Sequence, residues 1–150
     1  MDKRPRILVV DDDETIRTTM KAILQDEGYE VDLAASGKEA IQKSQDKLYN
    51  IALLDIRLPD IEGVELLKLL KEGVPRTRKI MVTGYPSMQN AISALNKNAD
   101  AYLLKPVDVE KLLCTVKEQL QAQEEEQQFS EQRVAEFIES RVKELSTGIF

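Results

Sequence analysis

The sequence predicts an α/β fold, a (βα)5 arrangement in which five parallel strands alternate with helices in a doubly wound sheet. Two observations support this. Short β-type runs alternate with amphipathic stretches from residue 6 to residue 104, and three of those runs are almost continuously apolar, as are strands buried on both faces of a parallel sheet. Right-handed crossovers then place helices on both faces. The predicted strands are Arg6–Val10, Glu30–Ala34, Ile51–Asp55, Lys79–Thr83 and Ala101–Leu104.

The helices are predicted from apolar residues that recur at helical spacing between the strands. Gly28 and Gly73 follow the first and third helices, where a C-terminal cap favours glycine. Cys114 lies within the last apolar stripe and is therefore predicted to be a core residue. The stripes contain Ile16, Met20, Ile23 and Leu24, then Leu66, Leu67 and Leu70, then Met88, Ala91, Ile92 and Leu95, and finally Leu112, Leu113, Val116 and Leu120.

Composition excludes several classes of function. The 150 residues, 42% of them apolar, suit one folded domain rather than a disordered chain. The chain has no histidine and one cysteine, which excludes histidine-based metal sites and triads and an internal disulfide. A net charge of −6 offers no basic surface for nucleic acid. No apolar run approaches the roughly 18–20 residues of a membrane span, and no signal peptide precedes the first strand, so we expect a cytoplasmic protein.

Charge divides the chain near residue 121. Residues 1–120 carry 20 acidic and 18 basic residues, whereas residues 121–150 carry 7 and 3. We therefore predict one domain over residues 1–120 and a helical tail or linker over residues 121–150.

The tail is predicted to contain a separate helix with Ser130 as its N-cap. Such a short helix is marginal alone, so its apolar stripe needs a surface to pack against. Homodimerisation through this helix is favoured, docking onto the preceding domain is the main alternative, and a helix that leads into a further domain is the third. A coiled coil continuous with the preceding helix is disfavoured, because polar Gln123, Gln127 and Ser130 would occupy its seam. The stripe contains Val134, Phe137, Ile138, Val142 and Leu145.

Chemically distinctive side chains follow four of the predicted strands. Asp11, Asp12 and Asp13 follow the first strand, and Asp55 ends the third. The fourth ends at Thr83-Gly84 and the fifth is followed by Lys105-Pro106. Ligands of doubly wound sheets bind beyond the carboxyl ends of the strands, so these residues are expected to converge there.

The aspartates predict a divalent cation site. Two carboxylates about 4 Å apart repel by roughly 4 kcal/mol at an effective dielectric constant near 20, so Asp11, Asp12 and Asp55 need a counter-cation. Mg2+ suits a site with few carboxylates, water and phosphate oxygens. Alternatively, the acids after the first strand stabilise only the start of a helix. Beside a metal, Asp55 could act as a nucleophile towards phosphorus, and the Lys105 ammonium could pair with Asp55 or with phosphoryl oxygens.

Four segments together resemble the receiver domain of two-component response regulators over residues 5–120. They are Ile7–Asp13, Leu54–Asp60, Met81–Tyr85 and Tyr102–Pro106. The resemblance implies a flavodoxin-like sheet with strand order 2-1-3-4-5. It also implies that Asp55 is the phospho-acceptor, that Thr83 and Lys105 contact the phosphoryl group, and that Thr83 and Tyr102 act as the switch. The implied Mg2+ ligands, which could also hold Mn2+, are Asp55, Asp12, Asp11 through water, and the backbone carbonyl of Arg57.

By this resemblance the chain is not a turnover enzyme but catalyses only its own phosphorylation and dephosphorylation. Its expected partners are a histidine kinase or phosphotransfer protein and a downstream protein or fused output domain, with no direct contact to nucleic acid or membrane. Arg57 and Tyr85 are expected to shield the acyl phosphate from water and so lengthen its life.

Three alternatives compete with this interpretation. A flavodoxin-type cofactor binder needs a phosphate-binding loop where Asp11–Asp13 stands. A haloacid-dehalogenase-type phosphohydrolase needs a second acid where Arg57 stands. A phosphorylation-independent interaction module would be expected to lack the acceptor or the lysine, and both are present.

Overall fold

The computed structural model describes residues 4–84 and 99–147. The predicted helix stripe at residues 88–95 and Tyr85 lie outside the described residues. The elements are β1 (Arg6–Val10), α1 (Glu14–Asp26), β2 (Glu30–Ala34), α2 (Gly37–Asp46), β3 (Ile51–Asp55), α3 (Gly63–Leu69), β4 (Arg78–Thr83), β5 (Ala101–Leu104) and α4 (Val109–Thr147).

The five strands form one parallel sheet in the order β2-β1-β3-β4-β5, which confirms the predicted topology. The strand bounds agree with the prediction, except that β4 begins one residue earlier, at Arg78. These runs are readable from sequence because β1, β3 and β4 are buried on both faces.

The core has two layers, one on each face of the sheet, because successive side chains of a strand point to opposite faces. On one face, residues such as Leu8 and Leu54 pack with Ala40 of α2 and Leu66 of α3. On the other, residues such as Val9 and Leu53 pack with α1 and α4, including Leu24, Leu112 and Val116. The sheet is therefore held between two helical layers.

The predicted glycine caps have different outcomes. Gly28 follows α1 with φ +94°, in the left-handed region that glycine adopts at little cost. Gly73 caps nothing, because α3 ends at Leu69 and its C-cap, Leu70, already has extended backbone.

The predicted separate tail helix is wrong: α4 is one helix of 39 residues, and Ser130 lies inside it. The physical reason lies in Gln123, which is only 5% exposed. Its amide donates to the carbonyl oxygens of Asn50 (3.0 Å) and Arg76 (2.8 Å) and accepts from the Asn50 side chain (2.9 Å). A polar residue on this face therefore has partners on the sheet domain and does not interrupt the helix. The predicted division at residue 121 falls inside α4 and stays a prediction.

Cys114 is not a core residue but is exposed on α4. Neighbouring helical residues are about 100° apart, and the buried face is set by Leu112 and Val116, so Cys114 points away from the sheet. No helix within residues 4–84 and 99–147 has both the length and the apolar character of a membrane span.

Candidate phosphoryl and metal site

The strand ends bring the predicted site residues together at one edge of the sheet. Asp11 follows β1, and its backbone N–H donates to the carbonyl of Ala34 at 3.1 Å, which extends the ladder past the end of β1. Asp55 ends β3, and Thr83 ends β4. The backbone N–H of Lys105 donates to the carbonyl of Thr83 at 2.7 Å, so the loop after β5 is held against β4.

Three carboxylates form the acidic part of this site. Oxygen atoms of Asp11, Asp12 and Asp55 all lie within 4.8 Å of one another. Asp11 and Asp55 are buried, at 2% and 6% exposure, whereas Asp12 is exposed. The cluster is therefore anchored by two buried groups and open to solvent through the third.

Lys105 supplies the cation that faces this cluster. Its Nζ donates to Asp11 Oδ2 at 2.8 Å and to Asp55 Oδ2 at 3.1 Å. Burial acts to lower the pKa of Lys105, but the hydrogen bonds to the two carboxylates outweigh it, and the pKa is raised above its ordinary value. The side chain therefore stays an ammonium, as contact with phosphoryl oxygens would require.

Opposing interactions set the pKa of Asp55. Burial raises its pKa above the ordinary value, and the nearby Asp11 carboxylate acts in the same direction. The Arg57 N–H, which donates to Asp55 Oδ1 at 3.1 Å, and the Lys105 ammonium oppose that shift without reversing it. A second cation here would favour the ionised form. Carboxylate oxygens grouped in this way suit a hard divalent ion such as Mg2+, so the donor set fits the predicted metal.

A cleft of about 520 Å³ opens over these groups. It is large enough to admit a phosphoryl group while one wall stays acidic and another carries Lys105. The lining includes Asp12, Asp55, Arg57, Pro59, Gly84 and Lys105.

Asp11 and Asp13, which both follow β1, have different roles. Asp13 is the N-cap of α1 and accepts from the backbone N–H groups of Thr15 (2.8 Å) and Ile16 (3.2 Å), so it stabilises the start of the helix. Asp11 Oδ1 accepts from the Asp13 N–H at 2.9 Å, which fixes its orientation. Arg17 Nη1 donates to the Asp11 carbonyl at 2.7 Å. Arg17 was not predicted as a site residue, because its only signal in the sequence is its place early in the helix after the aspartates.

Two residues between the end of β3 and the first turn of α3 were also missed. The exposed Asp60 carboxylate accepts from the N–H groups of Gly37 and Lys38, both at 2.9 Å, and these bonds lower its pKa. Asp60 thereby ties this loop to the start of α2. Gly63, the first residue of α3, lies so close to β3 that a Cβ would be 2.5 Å from the Asp55 carbonyl oxygen. Neither role is visible locally, because Asp60 contacts the start of α2 and Gly63 packs against backbone outside its own helix.

The predicted switch residues lie on neighbouring strands. Thr83 is fully buried at the end of β4, and Tyr102 on the edge strand β5 is 49% exposed. Tyr102 pairs in register with Met81, two residues before Thr83. The ring thus lies at the surface near the site, while the threonine lies inside it.

The response regulator receiver domain family matches residues 7–117. Among curated proteins, the chain is 40% identical over 114 residues to the transcriptional regulatory protein ZraR of Klebsiella oxytoca and 35% identical over 112 residues to the transcriptional regulatory protein DltR of Streptococcus agalactiae. These alignments cover 76% and 75% of this chain but 26% of ZraR and 50% of DltR. The chain thus spans about a quarter to a half of these relatives.

Solved structures of response regulators are also similar to this chain. A CheY-like receiver domain protein of Methanospirillum hungatei is 49% identical, with a TM-score of 0.75, over 83% of this chain and 99% of that one. NtrX of Brucella abortus, solved in complex with ATP, is 28% identical, with a TM-score of 0.78, over 85% of this chain and 29% of that one. The chain therefore belongs to the response regulator receiver domain family of two-component systems.

Proposed function

We propose that Asp55 accepts a phosphoryl group from a histidine kinase or phosphotransfer protein. The observation that carries the proposal is the contact of Lys105 Nζ with both Asp11 and Asp55, beside the exposed Asp12 and under an open cleft. A purely structural ion pair would not require a third clustered carboxylate. Membership of the receiver family supports the same assignment.

The transfer follows from the positions of these groups. A carboxylate oxygen of Asp55 attacks phosphorus, a P–O bond forms, and the P–N bond to the donor imidazole breaks. The imidazole keeps the electron pair of that bond and takes a proton from solvent. Lys105, already an ammonium, exchanges its Asp55 contact for a phosphoryl oxygen and keeps its contact with Asp11. Positioning and charge neutralisation are the main requirements of such a transfer.

Asp11, Asp12, Asp55 and the backbone carbonyl of Arg57 are the groups that would hold Mg2+, or Mn2+ in its place. The bound ion would offset the charge of the carboxylates and of the incoming phosphoryl oxygens. The chain's contribution is to place Asp55 and Asp11 rigidly, through the Arg57 and Asp13 N–H groups and the Arg17 contact.

Phosphorylation is proposed to act as a two-state switch. The acyl phosphate would draw the Thr83 hydroxyl towards it, and the Tyr102 ring would turn from its half-exposed position into the space left behind. We propose that the altered surface near β5 binds a downstream protein or regulates an output domain fused to this one. Regulation of a fused output domain is supported by relatives such as ZraR, which is a transcriptional regulatory protein. Contact with nucleic acid or membrane is not proposed for these residues.

We further propose that the chain is not a turnover enzyme and that its chemistry ends with gain and loss of its own phosphoryl group. Arg57, which lines the cleft, would hinder the hydrolytic water and lengthen the phosphorylated state. An Arg57→Ala variant should lose its phosphoryl group faster than the wild type. An equal rate of loss would remove the shielding role.

Incorporation of labelled phosphate from acetyl phosphate tests the main assignment. The wild type should be labelled in Mg2+ and not in EDTA, and Asp55→Asn should stay unlabelled in both. Asp13→Asn is the matched control, because asparagine keeps the N-cap and should leave labelling unchanged. Equal labelling of wild type and Asp55→Asn would refute the assignment.

A further inference from the structure

The second half of α4 carries an exposed apolar face, on which the Arg141 guanidinium lies 5.3 Å from the centre of the Phe137 ring. Val134, Phe137, Ile138, Val142 and Leu145 are each between 56% and 60% exposed. A stripe of this size on a single projecting helix favours association. Because α4 is continuous, the stripe lies on a rigid rod about 30 Å long beyond residue 127.

This rod has a heptad seam. Alternating steps of four and three residues, the spacing of positions a and d in coiled coils, run through the face that contains Val134 and Ile138. The seam begins where the Gln123 contacts end, so the polar residues before it belong to the contact with the sheet domain. Its positions are Gln127, Glu131, Val134, Ile138, Arg141 and Leu145.

The two charges of the seam are Glu131 and Arg141, which pairs with Glu144 of its own helix at 3.3 Å, and together they define how a second copy fits. Glu131 and Arg141 are equidistant from residue 136. In a parallel, in-register pair each would meet its own copy, with like charges opposed. In an antiparallel pair centred on residue 136, Glu131 meets Arg141 of the partner, and Val134 meets Ile138. Like charges in contact are disfavoured and opposite charges favoured, so the charge pattern selects the antiparallel arrangement.

A groove beside the helix agrees with this register. A cavity of about 570 Å³ lies between α4 and the loop containing Val74 and Pro75. Val74 is 86% exposed, and Gln127, Val134 and Ile138 of α4 form part of the other wall. In the antiparallel register Leu145 of a second copy would lie level with Gln127, beside this groove. A parallel copy would bring only its own Gln127 to that level.

We propose that two copies of this chain associate through residues 127–147 of α4 as an antiparallel pair centred on residue 136, with the end of each helix seated between the partner's α4 and 73–76 loop. This inference is independent of phosphoryl transfer. It replaces the predicted separate dimerisation helix with the continuous α4 and specifies its partner and direction.

A charge-swap cycle tests the proposal. Dissociation constants of the 150-residue chain would be measured by sedimentation equilibrium for the wild type, Glu131→Arg, Arg141→Glu and the double variant. Each single variant opposes like charges twice per dimer and should weaken association roughly tenfold. The double variant restores opposite charges and should return to within about threefold of the wild type. Single variants equal to a dimeric wild type would refute the antiparallel register, and a wild type monomeric at about 100 µM would refute the association.

Disulfide trapping gives an independent readout. The sole cysteine is first removed as Cys114→Ser, and Glu131→Cys and Arg141→Cys are then made separately. After subunit exchange and mild oxidation, a mixture of the two variants should form a heterodimeric disulfide. Neither variant alone should cross-link, because residue 131 lies about 15 Å from its copy along the antiparallel pair. Cross-linking of either variant alone, as efficient as in the mixture, would overturn the proposal.

Discussion

Replacing Gly63 by alanine should damage both the fold and the phosphoryl site, although alanine is the better helix former. Gly63 begins α3, and its backbone N–H donates to the carbonyl of Ile56 at 2.8 Å. An added Cβ would lie 2.5 Å from the Asp55 carbonyl oxygen, 2.8 Å from the Met81 terminal methyl and 3.0 Å from the Ile56 Cα. Two of these three atoms belong to the backbone beside the proposed acceptor, so they cannot turn aside as a side chain could.

The expected change in the free energy of unfolding of Gly63→Ala follows from two opposing effects. Overpacking in a filled core costs about 1–3 kcal/mol, and this contact is at the severe end because backbone must move. Alanine recovers at most about 1 kcal/mol over glycine in a helix. We expect a net loss of about 2 kcal/mol in the free energy of unfolding, or about 4–8 °C in Tm for a chain of this size. A displacement of Asp55 approaching 1 Å should also slow phosphorylation, by up to about 100-fold.

The assay combines urea unfolding with the rate of labelling by acetyl phosphate. Gly73→Ala is the matched control, because the three atoms nearest to its added Cβ all belong to the Leu48 side chain, which is 52% exposed and can turn away. The control should retain its stability within about 0.5 kcal/mol and its labelling rate. A Gly63→Ala variant as stable and as quickly labelled as the control would refute the close-packing argument.

Three further outcomes are expected. Asp12→Asn should lose the rise in Tm that Mg2+ gives the wild type, whereas Asp13→Asn should keep it; an unchanged rise in Asp12→Asn would remove Asp12 from the metal site. Burial acts to raise the pKa of Asp100, but bonds from Arg76 and neighbours outweigh it and lower the pKa. Its stabilising effect should therefore be present above about pH 4 and be lost as the pH falls below it, so urea unfolding of Asp100→Asn should show about 1–3 kcal/mol less stability at pH 7 and a smaller loss on acidification. A chain ending after residue 121 should be less stable to urea than one ending after residue 128, by about 2–3 kcal/mol in the free energy of unfolding, because the shorter chain lacks both Gln123 and the Glu126 carboxylate that pairs with Arg78; equal stability would show that these contacts contribute nothing.

The strands and the strand-end residues could be predicted from sequence because both depend on local patterns. A strand buried on two faces is apolar throughout, and a charged residue at its end stands out against that background. Asp11, Asp55 and Lys105 were found in this way, and the parallel topology was enough to bring them together. Their roles in phosphoryl transfer stay predictions.

The residues that could not be predicted from sequence act through contacts with segments outside their own element. Asp60 contacts a helix that begins 23 residues earlier. Gly63 packs on the backbone at the end of β3, and the residue pattern around Gly63 does not predict that contact. Gln123 was interpreted wrongly for the same reason. Its partners lie 73 and 47 residues away, so its polarity indicated an unfavourable position in a coiled-coil seam rather than a buried, hydrogen-bonded side chain. The periodicity of a segment indicates which side chains share one face, but not which surface of the protein that face contacts.

The path of α4 links the two ends of the sheet. The helix begins after Lys105 and Pro106, at the carboxyl ends of the strands, and runs back until Gln123 meets Asn50 and Arg76, which precede β3 and β4. The proposed dimer seam therefore projects from the edge opposite the phosphoryl site, and the acidic cluster cannot touch it directly. Any influence of Asp55 on association must pass through the packing of α4 on the sheet. Because one face of α4 first packs on the sheet and then continues as the seam, a small shift of the helix on the sheet would move the seam as a unit.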